Sequence, residues 1–146
     1  MKADFYHLTA QPLDRVLPVI AEKVLGSGER LLIVAGDQAQ RSALDKLLWS
    51  YSAASFLPHG EAGGERDAEQ PVLISGNPAA ANAATNIAIV DGVWREEALS
   101  FARVFHFFGE DSIAAARAAW KSLADREGVD RRYWKQDEGG RWQQVA

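Results

Sequence analysis

The chain has 146 residues, 47% hydrophobic and 25% charged, which suits one globular domain with a real core. It contains no cysteine, so disulfides, thiol nucleophiles and cysteine-ligated zinc or iron are excluded together. Its net charge of −4 argues against a protein whose main task is to coat nucleic acid, because neutralising phosphates takes a clear cationic excess.

Met1 to Ala10 lacks the apolar core and cleavage site of a leader. No apolar run approaches the roughly 18 residues that span a bilayer. The expected location is cytoplasmic, with no membrane partner. Phe5-Tyr6-His7-Leu8 reads as a first strand. Pro12 then opens a helix carrying Leu13, Val16, Leu17, Ile20 and Val24 at helical spacing, with Gly26 as its stop and Pro18 as an expected kink. Arg30 to Ala35 is a near-continuous apolar run, as in a strand buried on both faces of a parallel sheet.

Asp37 and Gln40 have capping-box spacing, and Leu44, Leu47 and Leu48 stripe the helix that follows. Ser50 to Gln70 is too long and too rich in Gly, Ala, Ser and charge for an ordinary connection. Val72 to Ser75 and Ile87 to Val90 are short buried strands. The segment from Asn77 to Asn86 is compatible with a weak helix or with a crossover loop. After a short helix near Glu96, Arg103 to Phe108 forms a strand, and Asp111 or Ser112 caps a helix running to about Glu127 with Gly128 as its stop. A last strand over Val129 to Lys135, a turn at Gly139-Gly140 and a tail with Trp142 complete the chain. The alternation predicts a single α/β domain over residues 1–146, with three layers around a mostly parallel sheet.

Motifs for chemistry are sparse. Gly26-Ser27-Gly28 follows a helix and precedes a strand, the inverse of a phosphate cradle, and no G-x-x-x-x-G-K-[ST] occurs. His7, His59 and His106 have no metal-ligand spacing, and no G-x-S-x-G elbow is present. No catalytic residue, metal site or cofactor is assigned.

Binding surfaces are better marked. Between Arg117 and Arg141, the cations Arg117, Lys121, Arg126, Arg131, Arg132, Lys135 and Arg141 outnumber Asp125, Glu127, Asp130, Asp137 and Glu138. An acidic peptide or a short phosphate stretch would suit that end, although a solvated mixed-charge face has the same pattern. In the last long helix Ile113, Ala116, Trp120 and Leu123 form a core-facing stripe, flanked by Arg117 and Lys121. An aromatic with two cations could hold a carboxylate beside an apolar side chain, while spacing alone favours Trp120 as plain core with solvated cations. Tyr133 and Trp134 should point to opposite faces of their strand. Trp49 closes a helix ahead of Ser55-Phe56-Leu57-Pro58-His59-Gly60, and Phe56 and Leu57 could plug the core or form with Trp49 an exposed apolar patch for a partner.

The order of F-Y-H-L at the start, L-L-I-V-A in the second strand, L-W at 48–49, S-F-L-P-H-G at 55–60 and E-D-S before an Arg- and Trp-bearing helix resembles the chi subunit of bacterial DNA polymerase III over nearly the whole length. The resemblance implies a nucleotide-binding-like α/β fold without a working nucleotide site. It implies a non-catalytic accessory adaptor of the clamp loader with two partners and mainly indirect contact with nucleic acid. One partner, the psi subunit or a helicase competing for its place, would dock on Trp49 and Phe56. The other, the acidic carboxy-terminal tail of single-stranded DNA-binding protein, would be captured by Arg117, Trp120 and Lys121. A further basic position of the family falls on Ala114, so Lys121 could stand in for it or the cation could be lost. The competing expectation is a small α/β nucleotide-binding protein or enzyme.

Overall fold

The computed structural model describes residues 1–51 and 58–146. Among them the elements are β1 (Lys2–His7), α1 (Leu13–Gly26), β2 (Leu31–Val34), α2 (Gln38–Ser50), β3 (His59–Glu61), β4 (Val72–Ser75), β5 (Asn86–Ile89), β6 (Arg103–Phe108), α3 (Ile113–Ser122), β7 (Asp130–Gln136) and β8 (Trp142–Gln144), with three short 3-10 turns. The strands form one sheet in the order β3-β4-β2-β5-β6-β1-β7-β8. Every pairing is parallel except that of β7 with β8.

Aliphatic runs explain the middle of this sheet. β2, β4 and β5 are buried at every residue, since helices or loops cover both of their faces. α1 lays Val16, Leu17, Ile20, Ala21 and Val24 on one face, over a core shared with Leu44 and Leu48 of α2. The helix continues through Pro18, whose ring is buried. On the other face Ala3, Phe5 and Phe108 meet Ala116, Ala119 and Leu123 from α3 and the residue that ends it. The result is a three-layer α/β fold, as the pattern predicts.

Several local expectations are corrected. Asp37 caps α2 by accepting from the Ala39 N–H at 3.2 Å, but Gln40 donates to the Val90 carbonyl instead of completing a capping box. β3 lies within the long connection, where short length and few apolar residues hide it. Of the two readings open for the segment before β5, the structure has the crossover loop, with turns over residues 77–85. The tail folds back as β8, and α3 stops five residues before Glu127. That early stop has a local cause: the Ser122 hydroxyl donates to the Ala119 carbonyl at 2.7 Å, and the N–H groups of Leu123 and Ala124 reach only three residues back. Gly128, at φ +78°, then turns the chain into β7 in a conformation that penalises a side chain.

At the carboxyl ends of the strands, where open parallel sheets bind ligands, the Gly36 N–H after β2 donates to the Asp91 carboxylate at 2.9 Å. Burial opposes ionisation of Asp91. Hydrogen bonds from Arg95, Gly36 and Val93 nevertheless hold its carboxyl below the usual range. A negative charge therefore stands where a phosphate would need backbone donors.

Candidate functional site

The alternation of β7 sorts its side chains between two faces. Tyr133 packs with the α3 cluster and Trp134 with the α1 cluster, as strand geometry requires. Arg131 shares the face of Tyr133, and Arg132 shares that of Trp134.

On the α3 face, Trp120 stands at the centre. Its ring meets Phe5 edge-on at 5.5 Å and Tyr133 edge-on at 5.6 Å. The Arg131 guanidinium lies over the same ring at 4.1 Å from the centroid and donates to the Trp120 carbonyl at 2.6 Å. That carbonyl is one of the groups a helix leaves unpaired in its last turn, and a cation there also complements the helix dipole. Arg117, one turn earlier and exposed, brings its charge close to the Tyr133 phenol. Burial raises the Tyr133 pKa and the Arg117 charge opposes the rise, so the phenol stays protonated at neutral pH. Lys121 is exposed on the same helix.

The structure thus joins Arg117 and Trp120 into one surface with Arg131 and Tyr133, which chain order separates by more than ten residues. Trp120 is half-buried at the border of the core, and Ala119 takes the place in the buried stripe that spacing assigns to it. Among the described residues, no carboxylate lies within 4.0 Å of the cationic groups of Arg117, Lys121 or Arg131. The nearest acidic influence on Tyr133 is Glu110, which pairs with His7 at 3.0 Å. Two guanidiniums among aromatic rings suit a carboxylate-bearing peptide, since a guanidinium fork can donate two parallel bonds.

The opposite face carries a different cluster. Asp4 is wholly buried and accepts from Arg132 at 2.7 and 3.0 Å, from Arg103 at 2.8 Å and from the Trp134 indole at 3.1 Å. Tyr6 lies beside it, stacked with Phe107 and Trp134. Burial, with the nearby Asp4 charge, pushes the Tyr6 phenol up to about 12. These cations are committed to holding β1, β6 and β7 together.

Trp49 is 58% exposed at the end of α2, its ring 4.7 Å from that of His59. His59 Nε2 is 3.1 Å from the Asp45 carbonyl oxygen and 3.1 Å from Asp45 Oδ1, which anchors β3 to α2. Phe56 and Leu57 lie outside the described residues. Among the described residues no three His, Asp or Glu side chains converge as a metal set, and no helix is long and apolar enough to cross a membrane.

Comparison with known proteins points one way. The family model for the DNA polymerase III chi subunit, HolC, matches residues 1–130. The DNA polymerase III subunit chi of Pseudomonas aeruginosa is 40% identical over 76 residues, which is 50% of this chain and 52% of that protein. The subunit chi of Escherichia coli is 36% identical over 63 residues, 43% of each chain. A probable subunit chi of Rickettsia prowazekii is 31% identical over 70 residues, 48% of this chain and 42% of that protein. The chain spans about half the length of the curated relatives it matches.

Proposed function

The chain belongs to the DNA polymerase III chi subunit family, and from that premise we propose that it is a non-catalytic adaptor which captures the acidic carboxy-terminal tail of single-stranded DNA-binding protein on α3. The supporting observation is the exposed Arg117 beside Tyr133 and Trp120, with no carboxylate within salt-bridge distance among the described residues. In this reading Arg117 receives the terminal carboxylate, Trp120 and Lys121 border the bound tail, and contact with nucleic acid is indirect. Trp49 and Phe56 dock the clamp-loader side, through the psi subunit or an equivalent helicase. The exposure of Trp49 supports the first of those two residues.

Arg117→Ala tests the tail site by calorimetry with a synthetic acidic peptide ending in a phenylalanine with a free carboxylate. A hydrogen bond to a charged group contributes about 1.5–3 kcal/mol, so the dissociation constant should rise roughly 10- to 100-fold. Folding should be unchanged, because the Arg117 side chain is exposed. Equal affinity of the two proteins would remove Arg117 from the site.

A further inference from the structure

We infer that the second cation of this carboxylate site is Arg131, delivered by β7, and that Trp120 orients Arg131 rather than stacking on the bound peptide. The inference rests on the tail-capture reading and adds to it a residue beyond the stretch the family model matches, which ends at residue 130.

α3 offers a poor second cation. Besides Arg117 the helix carries one cation, Lys121, an exposed ammonium on a four-carbon stem. Immobilising such a side chain on a ligand costs up to about 2 kcal/mol of rotamer entropy. Arg131 has already lost most of that freedom. Its guanidinium carbon lies 4.1 Å from the Trp120 ring centroid, and its Nη1 donates to the Trp120 carbonyl at 2.6 Å.

A guanidinium carries five N–H donors. The carbonyl takes one of them, and neither that bond nor the ring face neutralises the charge. Arg131 thus remains a preset cation with donors to spare. Tyr133 follows two residues later, roughly 7 Å along the strand, and its phenol feels the Arg117 charge. Arg117 and Arg131 therefore bracket the Trp120–Tyr133 aromatic edge from two different elements. An acidic peptide with a terminal carboxylate and a nearby acidic side chain offers one anion to each of these two cations. Because Arg131 occupies a face of Trp120, the peptide's own apolar side chain must lie beside that ring rather than on the covered face.

The test uses the full chain and the same synthetic acidic peptide, titrated at several salt concentrations. Arg131→Ala should weaken binding about tenfold or more and reduce the salt dependence. Arg131→Lys should not restore the affinity, because an ammonium has no planar fork to lay on the indole. Trp120→Leu should weaken the wild-type protein but add nothing in the Arg131→Ala background, since a positioning residue acts only through its partner. Full additivity of those two changes would overturn the role given to Trp120. Undiminished binding by Arg131→Ala, with binding lost in Arg117→Ala, would overturn the inference and leave tail capture standing. If the wild-type chain does not bind the peptide, tail capture fails, and this inference fails with it.

Discussion

Arg131 and Arg132 are neighbours in β7 and point to opposite faces of the sheet. Arg132 reaches Asp4, a carboxylate with no exposed surface, through two bonds, and Arg103 adds a third from β6. Arg131 reaches an indole ring and a carbonyl. The first charge is consumed in folding, because a buried carboxylate must be paired. The second is oriented without being neutralised, and so remains available to a ligand. The sum of charges along a segment cannot distinguish these cases. The parity of positions in the strand, together with what each face packs against, can.

The largest effect should come from breaking the consumed side. Asp4→Ala leaves Arg103 and Arg132 facing each other without a counter-charge. Breaking a buried pair costs about 3–5 kcal/mol, and the lower end applies here because the two side chains are 36% and 25% exposed and can draw on water. Chemical denaturation should show this loss, while the surviving folded protein keeps its affinity for the acidic peptide. A parallel loss of affinity would mean that the two faces are not independent.

The α3 face hides a titratable group that is buried and unpaired. His106 has no exposed surface, neither ring nitrogen has a hydrogen-bond partner among the described residues, and it lies between the rings of Phe5, Trp94 and Phe108. Burial lowers its pKa from 6.5 to about 4; Asp91 partly offsets this, and Arg95 adds to it. A base with a depressed folded pKa binds its proton first in the unfolded chain. Its penalty is absent above pH 6.5 and grows as the pH falls towards 4, reaching roughly 3 kcal/mol. Replacing it by Leu should flatten the decline of the thermal midpoint across that interval. An equally steep decline in His106→Leu would assign the acid sensitivity to other groups.

Much of this architecture was legible from the chain. Runs such as Leu31 to Val34 declare a buried parallel strand because covering both faces leaves no polar positions to alternate with. β3 and β8 escaped because three-residue strands have too few positions to show a period. α3 was read too long, since its end is set by Arg131 and Ser122 side chains that compete for carbonyls rather than by a breaking residue. Arg117 and Trp120 could be grouped from helical spacing. Arg131 and Tyr133 could not be added to them, because they approach α3 only after β7 pairs with β1. Asp4, a wholly buried carboxylate that accepts four hydrogen bonds, gives no signal in the sequence of its strand.

The smallest effect closes the comparison. Removing Arg131 should barely change stability. Its cation–π contact contributes about 0.5–1 kcal/mol at a partly exposed site, and the Trp120 carbonyl it leaves can turn to water at the helix end. Arg131→Ala should therefore shift the denaturation midpoint far less than Asp4→Ala, while having the larger effect on peptide affinity. That crossing of effects is what separates an oriented charge from a consumed one. If Arg131→Ala instead destabilised the fold as much as Asp4→Ala, the Arg131–Trp120 stack would be a structural lock, and its charge would no longer count as a property of the surface.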